Sequence, residues 1–100
     1  MSDISEDVGS KLLFENGRVR VWDLTLAPGE STGRHRHKED YLYVVIGGGS
    51  LQPVDADGLK GKSRPMADGD VRWRDVEDED IHEAINTGSE PWRNIIVELK

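Results

Sequence analysis

Residues Arg18–Gly49 read RVRVWDLTLAPGESTGRHRHKEDYLYVVIGGG, two apolar alternating runs on either side of a His-x-His pair. The first run, Arg18–Ala27, is rich in β-branched and aromatic residues and stops at Pro28-Gly29. The second, Tyr41–Ile46 (YLYVVI), stops at Gly47-Gly48-Gly49. Both have the composition and the punctuation of strands. Between them, His35 and His37 stand two apart. In an extended segment alternate side chains leave the same face, so both imidazoles address one point.

The pattern continues outward. Ser50–Asp55 reads as a strand, and Asp57-Gly58 supplies a tight turn before Leu59. Asp68-Gly69-Asp70 marks another turn ahead of VRWRDV, and Ile81–Asn86 and Arg93–Leu99 supply the last strands. No segment keeps a period of 3.6 over three turns. Short strands with recurring turn signals predict an all-β sandwich or barrel. The first ten residues, MSDISEDVGS, are polar, and are expected either to be disordered or to lie on a neighbouring subunit as an exchanged strand. Residues 11–100 are read as one domain, since 100 residues leave no room for a second core.

Composition narrows the function classes. The chain carries a net charge of -7, which disfavours nucleic acid and anionic membrane surfaces as partners. Arg34–Lys38 is a basic run, but it stands against the charge of the whole chain. Cysteine is absent, which removes disulfides, thiolate metal sites and a thiol nucleophile. No apolar segment has the length of a signal core or a membrane span, so a soluble cytoplasmic protein is expected. Only 35% of residues are hydrophobic, and so thin a core makes help from a metal or a second subunit, a homodimer, the expectation.

The chain has three histidines, and the third, His82, is followed by Asn86 in the strand-like segment DIHEAIN. Imidazole is a common ligand of first-row metals, and three such ligands leave positions open for water or substrate. Iron, nickel, manganese and zinc all remain eligible as the divalent ion.

Together these residues resemble the cupin superfamily, small jelly-roll barrels of the double-stranded β-helix kind. The first cupin motif is matched by Gly29, His35, His37, Gly47 and Gly48, and the second by Gly69, His82 and Asn86. The resemblance spans about Arg18–Leu99 and departs at two places. Tyr41 holds the place of the family's glutamate ligand, with Asp40 one position before it, and the Pro-x-Gly turn of the second motif is replaced by Asp75, Glu77 and an acidic loop. A site of His35, His37 and His82 alone resembles the three-histidine iron cupins, such as thiol and diketone-cleaving dioxygenases. The HRHxxDY wording is similar to small bacterial cupins associated with β-alanine degradation.

The resemblance implies a metal-dependent oxygenase or related enzyme acting on a small anionic metabolite. Two other readings stand beside it: a non-enzymatic metal or small-ligand binding domain, and a metal-free isomerase using His82 and Tyr41 for proton transfer. Tyr41 is the candidate catalytic residue, a phenol able to donate a hydrogen bond or, with a lowered pKa, to exchange a proton. Asp40 is read as orienting a histidine N–H, as bending round to serve as an oxygen ligand, or as simply capping a turn. Tyr43 and Trp73 are expected to line the pocket and Asn86 to support it, while Arg72 and Arg74 are expected in solvent. The acidic stretch Val76–Asp80 is read as a solvated loop or as a gate at the pocket mouth.

Overall fold

The structure, a computed structural model, describes residues 4–100. Nine strands are found among them: β1 (Lys11–Glu15), β2 (Val19–Leu26), β3 (His35–His37), β4 (Tyr41–Gly47), β5 (Gly49–Val54), β6 (Arg64–Met66), β7 (Val71–Arg74), β8 (Asp80–Asn86) and β9 (Trp92–Leu99). They form two sheets, in the orders β1-β2-β9-β4-β7 and β3-β8-β5-β6, and all pairings between named strands are antiparallel. This is the all-β double-stranded β-helix expected from the sequence. No helix among the described residues is long and apolar enough to cross a membrane.

Alternation along β9 sets the inner face of the larger sheet: Trp92, Asn94, Ile96 and Glu98 are buried. Register then places rows of side chains across neighbouring strands, since directly opposed residues share a face. One row is Leu24, Asn94 and Val45; the next is Trp22, Ile96, Tyr43 and Arg72; the third is Arg20, Glu98, Tyr41 and Arg74. Val8, Trp22, Leu24, Leu26, Tyr41, Val45, Trp92 and Ile96 make up the core cluster. Polarity rises along these rows toward Arg74. Glu98, buried in the last row, accepts hydrogen bonds from Trp22 Nε1 at 2.7 Å and Arg20 at 3.3 Å.

Two elements were invisible to hydrophobic periodicity. All five residues of β1 are exposed, so no alternation marks it. β6 has three residues and contains Pro65, which suits only an edge position. Residues 1–3 of the polar N-terminal segment lie outside the described residues. In the remainder, Ser5 bridges to His35 through Ser5 N–H to Arg34 O and Arg36 N–H to Ser5 O, at 3.0 and 2.9 Å, and Val8 is only 2% exposed. This part of the segment docks on its own barrel.

Gly48 shows why the glycine run after β4 is needed. A Cβ there would collide with the Met66 carbonyl oxygen, a backbone atom that cannot swing aside. Gly29, at φ +82°, makes the turn that carries the chain from β2 toward β3. Its N–H donates to Asn86 O at 2.7 Å, and Asn86 N–H donates to Glu30 O at 2.9 Å, tying that turn to the end of β8.

Candidate metal centre

β3 and β8 pair with His35 directly opposite His82, and His37 lies two residues along the same face of β3. The three rings converge, with centroids 4.9 Å apart for His35–His37, 4.5 Å for His35–His82 and 4.8 Å for His37–His82. One nitrogen from each lies within 4.8 Å of the others.

Their hydrogen bonds decide which nitrogens are free. His35 Nδ1 lies 3.0 Å from Gly33 O, and His82 Nδ1 lies 3.0 Å from a carboxylate oxygen of Asp80. A carbonyl and a carboxylate only accept, so both Nδ1 atoms carry the proton and both Nε2 lone pairs are available. His37 is buried with no hydrogen-bond partner for Nδ1. Its ring stacks on Tyr41, with centroids 3.9 Å apart and 12° between the planes.

Burial also keeps the imidazoles neutral. Desolvation, and then the neighbouring His82, lowers His35 to about 4. Desolvation, His82 and His35 lower His37 to about 2. His82 is lowered by desolvation, with the Asp80 carboxylate opposing. Three neutral imidazoles, two with anchored Nδ1–H groups and one with an orphaned buried nitrogen, suit a divalent ion. A reading from exposed histidines would have protons displacing metal near pH 6. Burial of His35 and His37 moves their competition with metal well below that, and the lowering of His82 moves its own in the same direction. Zinc affinity measured by calorimetry is therefore expected to fall less than about tenfold between pH 7 and pH 5.5; a collapse at pH 6 would contradict it.

The flanking residues fall differently from expectation. Asp40 does not face a histidine: its Oδ1 accepts the Val76 backbone N–H at 2.7 Å, which ties the chain before β4 to the segment between β7 and β8 rather than capping a local turn. The histidine-orienting carboxylate is Asp80, two residues before His82 and thus on the same strand face. Replacing Asp80 with alanine is expected to weaken metal binding about 10–100-fold while leaving the fold intact; an unchanged dissociation constant would show that Asp80 does not orient His82. The rest of the acidic stretch is partly used as well, since Glu79 pairs with Arg36 at 3.0 Å.

Tyr41 lies beside the histidines, but burial pushes its phenol up rather than down, with Arg74 partly offsetting this. It is placed to hold a proton and donate it in a hydrogen bond, not to act as a phenolate base. Tyr43 lines the cavity and its hydroxyl reaches Met66 Sδ at 3.6 Å. Trp73 does not line it. It is 47% exposed on the outer face of β7, and its neighbour Arg74 lines the cavity instead. Asn86 is buried away from the cavity, donating from Nδ2 to Leu26 O and Glu90 O at 3.0 and 2.9 Å and accepting from Gly88 N–H at 2.9 Å.

The cavity measures about 660 Å³, the three histidines among its lining residues. Leu51, Met66 and Ile96 supply apolar wall, while Arg64, Arg74 and Asn94 are polar lining that the sequence did not single out. The basic run Arg34–Lys38 is turned to internal use: Arg36 and Lys38 pair with Glu6 at 3.1 and 3.4 Å, and Arg34 donates to Ala56 O at 3.0 Å.

Comparison with known proteins agrees with this geometry. No family model matches the chain. The β-alanine degradation protein BauB of Pseudomonas aeruginosa is 31% identical over 86 residues, covering 86% of each chain. A cupin domain from Bordetella pertussis Tohama I superposes with a TM-score of 0.78 at 24% identity, covering 98% of this chain and 97% of that one. The polyketide cyclase RemF of Streptomyces resistomycificus superposes with a TM-score of 0.65 at 16% identity, covering 98% of this chain and 73% of that one. The barrel, the gathered histidines and the relationship to BauB together establish that the chain belongs to the cupins, among the small bacterial members of that superfamily.

Proposed function

We propose that this cupin is a metal-dependent enzyme acting on a small anionic metabolite, with His35, His37 and His82 as the metal ligands. The observation that carries the reading is the convergence of three neutral imidazoles in a cavity open to solvent. Iron, nickel, manganese and zinc all accept such a nitrogen set. When bound, a divalent ion with three neutral ligands keeps its full charge and supplies Lewis-acid or oxygen chemistry to an anionic substrate.

The chain's own residues do the rest. Asp80 and Gly33 O hold the His82 and His35 rings in orientation. Tyr41 keeps its proton and offers it as a hydrogen bond beside His37. Leu51, Met66 and Ile96 exclude water from the cavity wall. BauB's part in β-alanine degradation supports a small carboxylic acid as the substrate class, and an oxygenase is the favoured reaction. A homodimer belongs to the same reading, supported by the exposed Leu12, Leu13 and Phe14 of edge strand β1.

The test is turnover of a panel of small carboxylic acids and diketones, with oxygen uptake recorded, by protein reconstituted anaerobically with ferrous iron, nickel, manganese or zinc. Turnover abolished by chelation is expected. Ligand binding without turnover for every metal would assign the chain to the non-enzymatic binding proteins instead.

A further inference from the structure

The polar groups lining the cavity divide unevenly between those already engaged and those free. Its acidic side chains are engaged. Glu79 pairs with Arg36, Asp80 with His82, Glu83 accepts the Ser31 hydroxyl at 2.7 Å, and Asp55 accepts the backbone N–H groups of Asp57 and Leu59, both at 2.9 Å. Several arginines elsewhere are ion-paired, Arg20 with Glu15 and Glu98, Arg72 with Asp70 and Arg93 with Asp23, while Arg18 and Arg34 have no acidic partner among the described residues but do not line the cavity. Arg64 and Arg74 line the cavity and have no acidic partner among the described residues.

Strand register fixes where Arg74 stands. It lies directly opposite Tyr41, whose ring stacks on His37, so its guanidinium shares a face with the histidine end of the cavity. Its charge acts on the Tyr41 and Tyr43 phenols and on the His82 imidazole, and Arg72 and then Arg64 act more weakly on Tyr43. Asn94, 3% exposed, also lines the cavity. Its Oδ1 is taken by Trp92 Nε1 at 2.6 Å, so what it offers a ligand is N–H. Arg64, Arg74 and Asn94 are thus cavity-lining donors without an acidic partner among the described residues, two of them cationic, in a chain of net charge -7.

We propose that Arg74, with Arg64 as a second cation lining the same cavity, binds the carboxylate of a small carboxylic acid and presents the other end of that molecule to His35, His37 and His82. A guanidinium fork matches the two oxygens of a carboxylate. The four acids that also line the cavity make a dianionic phosphate the poorer guest. The assignment rests on the small-anion reading above, but the carboxylate contact itself does not require the metal.

The test is titration of metal-free full-length protein with propionate, malonate, glutarate and inorganic phosphate, followed by NMR. At least one carboxylate binds wild type more tightly than phosphate. Its dissociation constant rises at least about tenfold in Arg74→Gln, rises less in Arg64→Gln, recovers partly in Arg74→Lys, and changes less than about twofold in the ion-paired control Arg72→Gln. Equal affinity in Arg74→Gln, no carboxylate binding by wild type, or a preference for phosphate would overturn the proposal. Zinc affinity of Arg74→Gln, measured separately, stays at the wild-type value. A wild type that binds carboxylate through Arg74 but no metal would leave this assignment standing and remove the metalloenzyme reading alone.

Discussion

His37→Leu is expected to lose metal affinity by more than about 100-fold, beyond what removal of a mere orienting partner costs, and yet to make the metal-free protein more stable. The imidazole is 1% exposed with Nδ1 unpartnered, a polar group kept in the core at a cost of about 1–3 kcal/mol. Part of that is returned by its stack on Tyr41, so a net gain of roughly 1 kcal/mol at neutral pH is expected for leucine. The gain grows on acidification. Burial and the neighbouring His82 and His35 lower His37 to about 2 in the folded chain, against an ordinary histidine value of 6.5. Between those values the unfolded state holds the proton and the folded state does not, so wild type loses about 1.4 kcal/mol per pH unit as pH falls. At pH 5 the advantage of leucine is therefore about 2 kcal/mol larger than at neutral pH. Urea denaturation of the metal-free proteins at pH 7 and pH 5 measures it. A leucine variant less stable than wild type at both would show that His37 is held for packing.

Asn86→Ala is expected to lose stability, by roughly 3–5 kcal/mol. The carboxamide donates to Leu26 O and Glu90 O and accepts from Gly88 N–H, and its removal strands all three backbone groups. Against a typical total of about 5–15 kcal/mol for a small domain, that leaves little. Thermal and urea unfolding measure the loss. In the fraction still folded at low temperature, zinc affinity stays within about threefold of wild type, because Asn86 does not reach the cavity. A large affinity loss with normal stability would return Asn86 to the site.

The histidine site was legible because β geometry is so regular. A period of two puts His35 and His37 on one face, and a chain with three histidines offers a single candidate for the third ligand. The same period also contained Asp80, two before His82, but its acidic neighbours made it look like part of a solvated run. The error at Trp73 has a physical cause. The aromatic was assigned to the cavity and the arginines to solvent, as average hydrophobicity suggests. Register with Tyr41 instead turns Trp73 outward with Leu42 and lets Arg74 line the cavity, while Arg72 and Arg74 both remain exposed as expected. β1 and β6 could not be read because neither has a buried face with a repeating pattern. Asn86 occupied the expected position and serves the turn beyond β8, a role that composition and spacing do not express.

The central claim, a three-histidine metal centre, is tested most directly by elemental analysis of the purified wild-type protein beside its His35→Ala and His82→Ala variants. The account predicts near-stoichiometric iron, nickel, manganese or zinc in wild type and loss of it in both variants. Wild type that stays metal-free even after anaerobic reconstitution with ferrous iron, or variants that keep the full metal content, would contradict it.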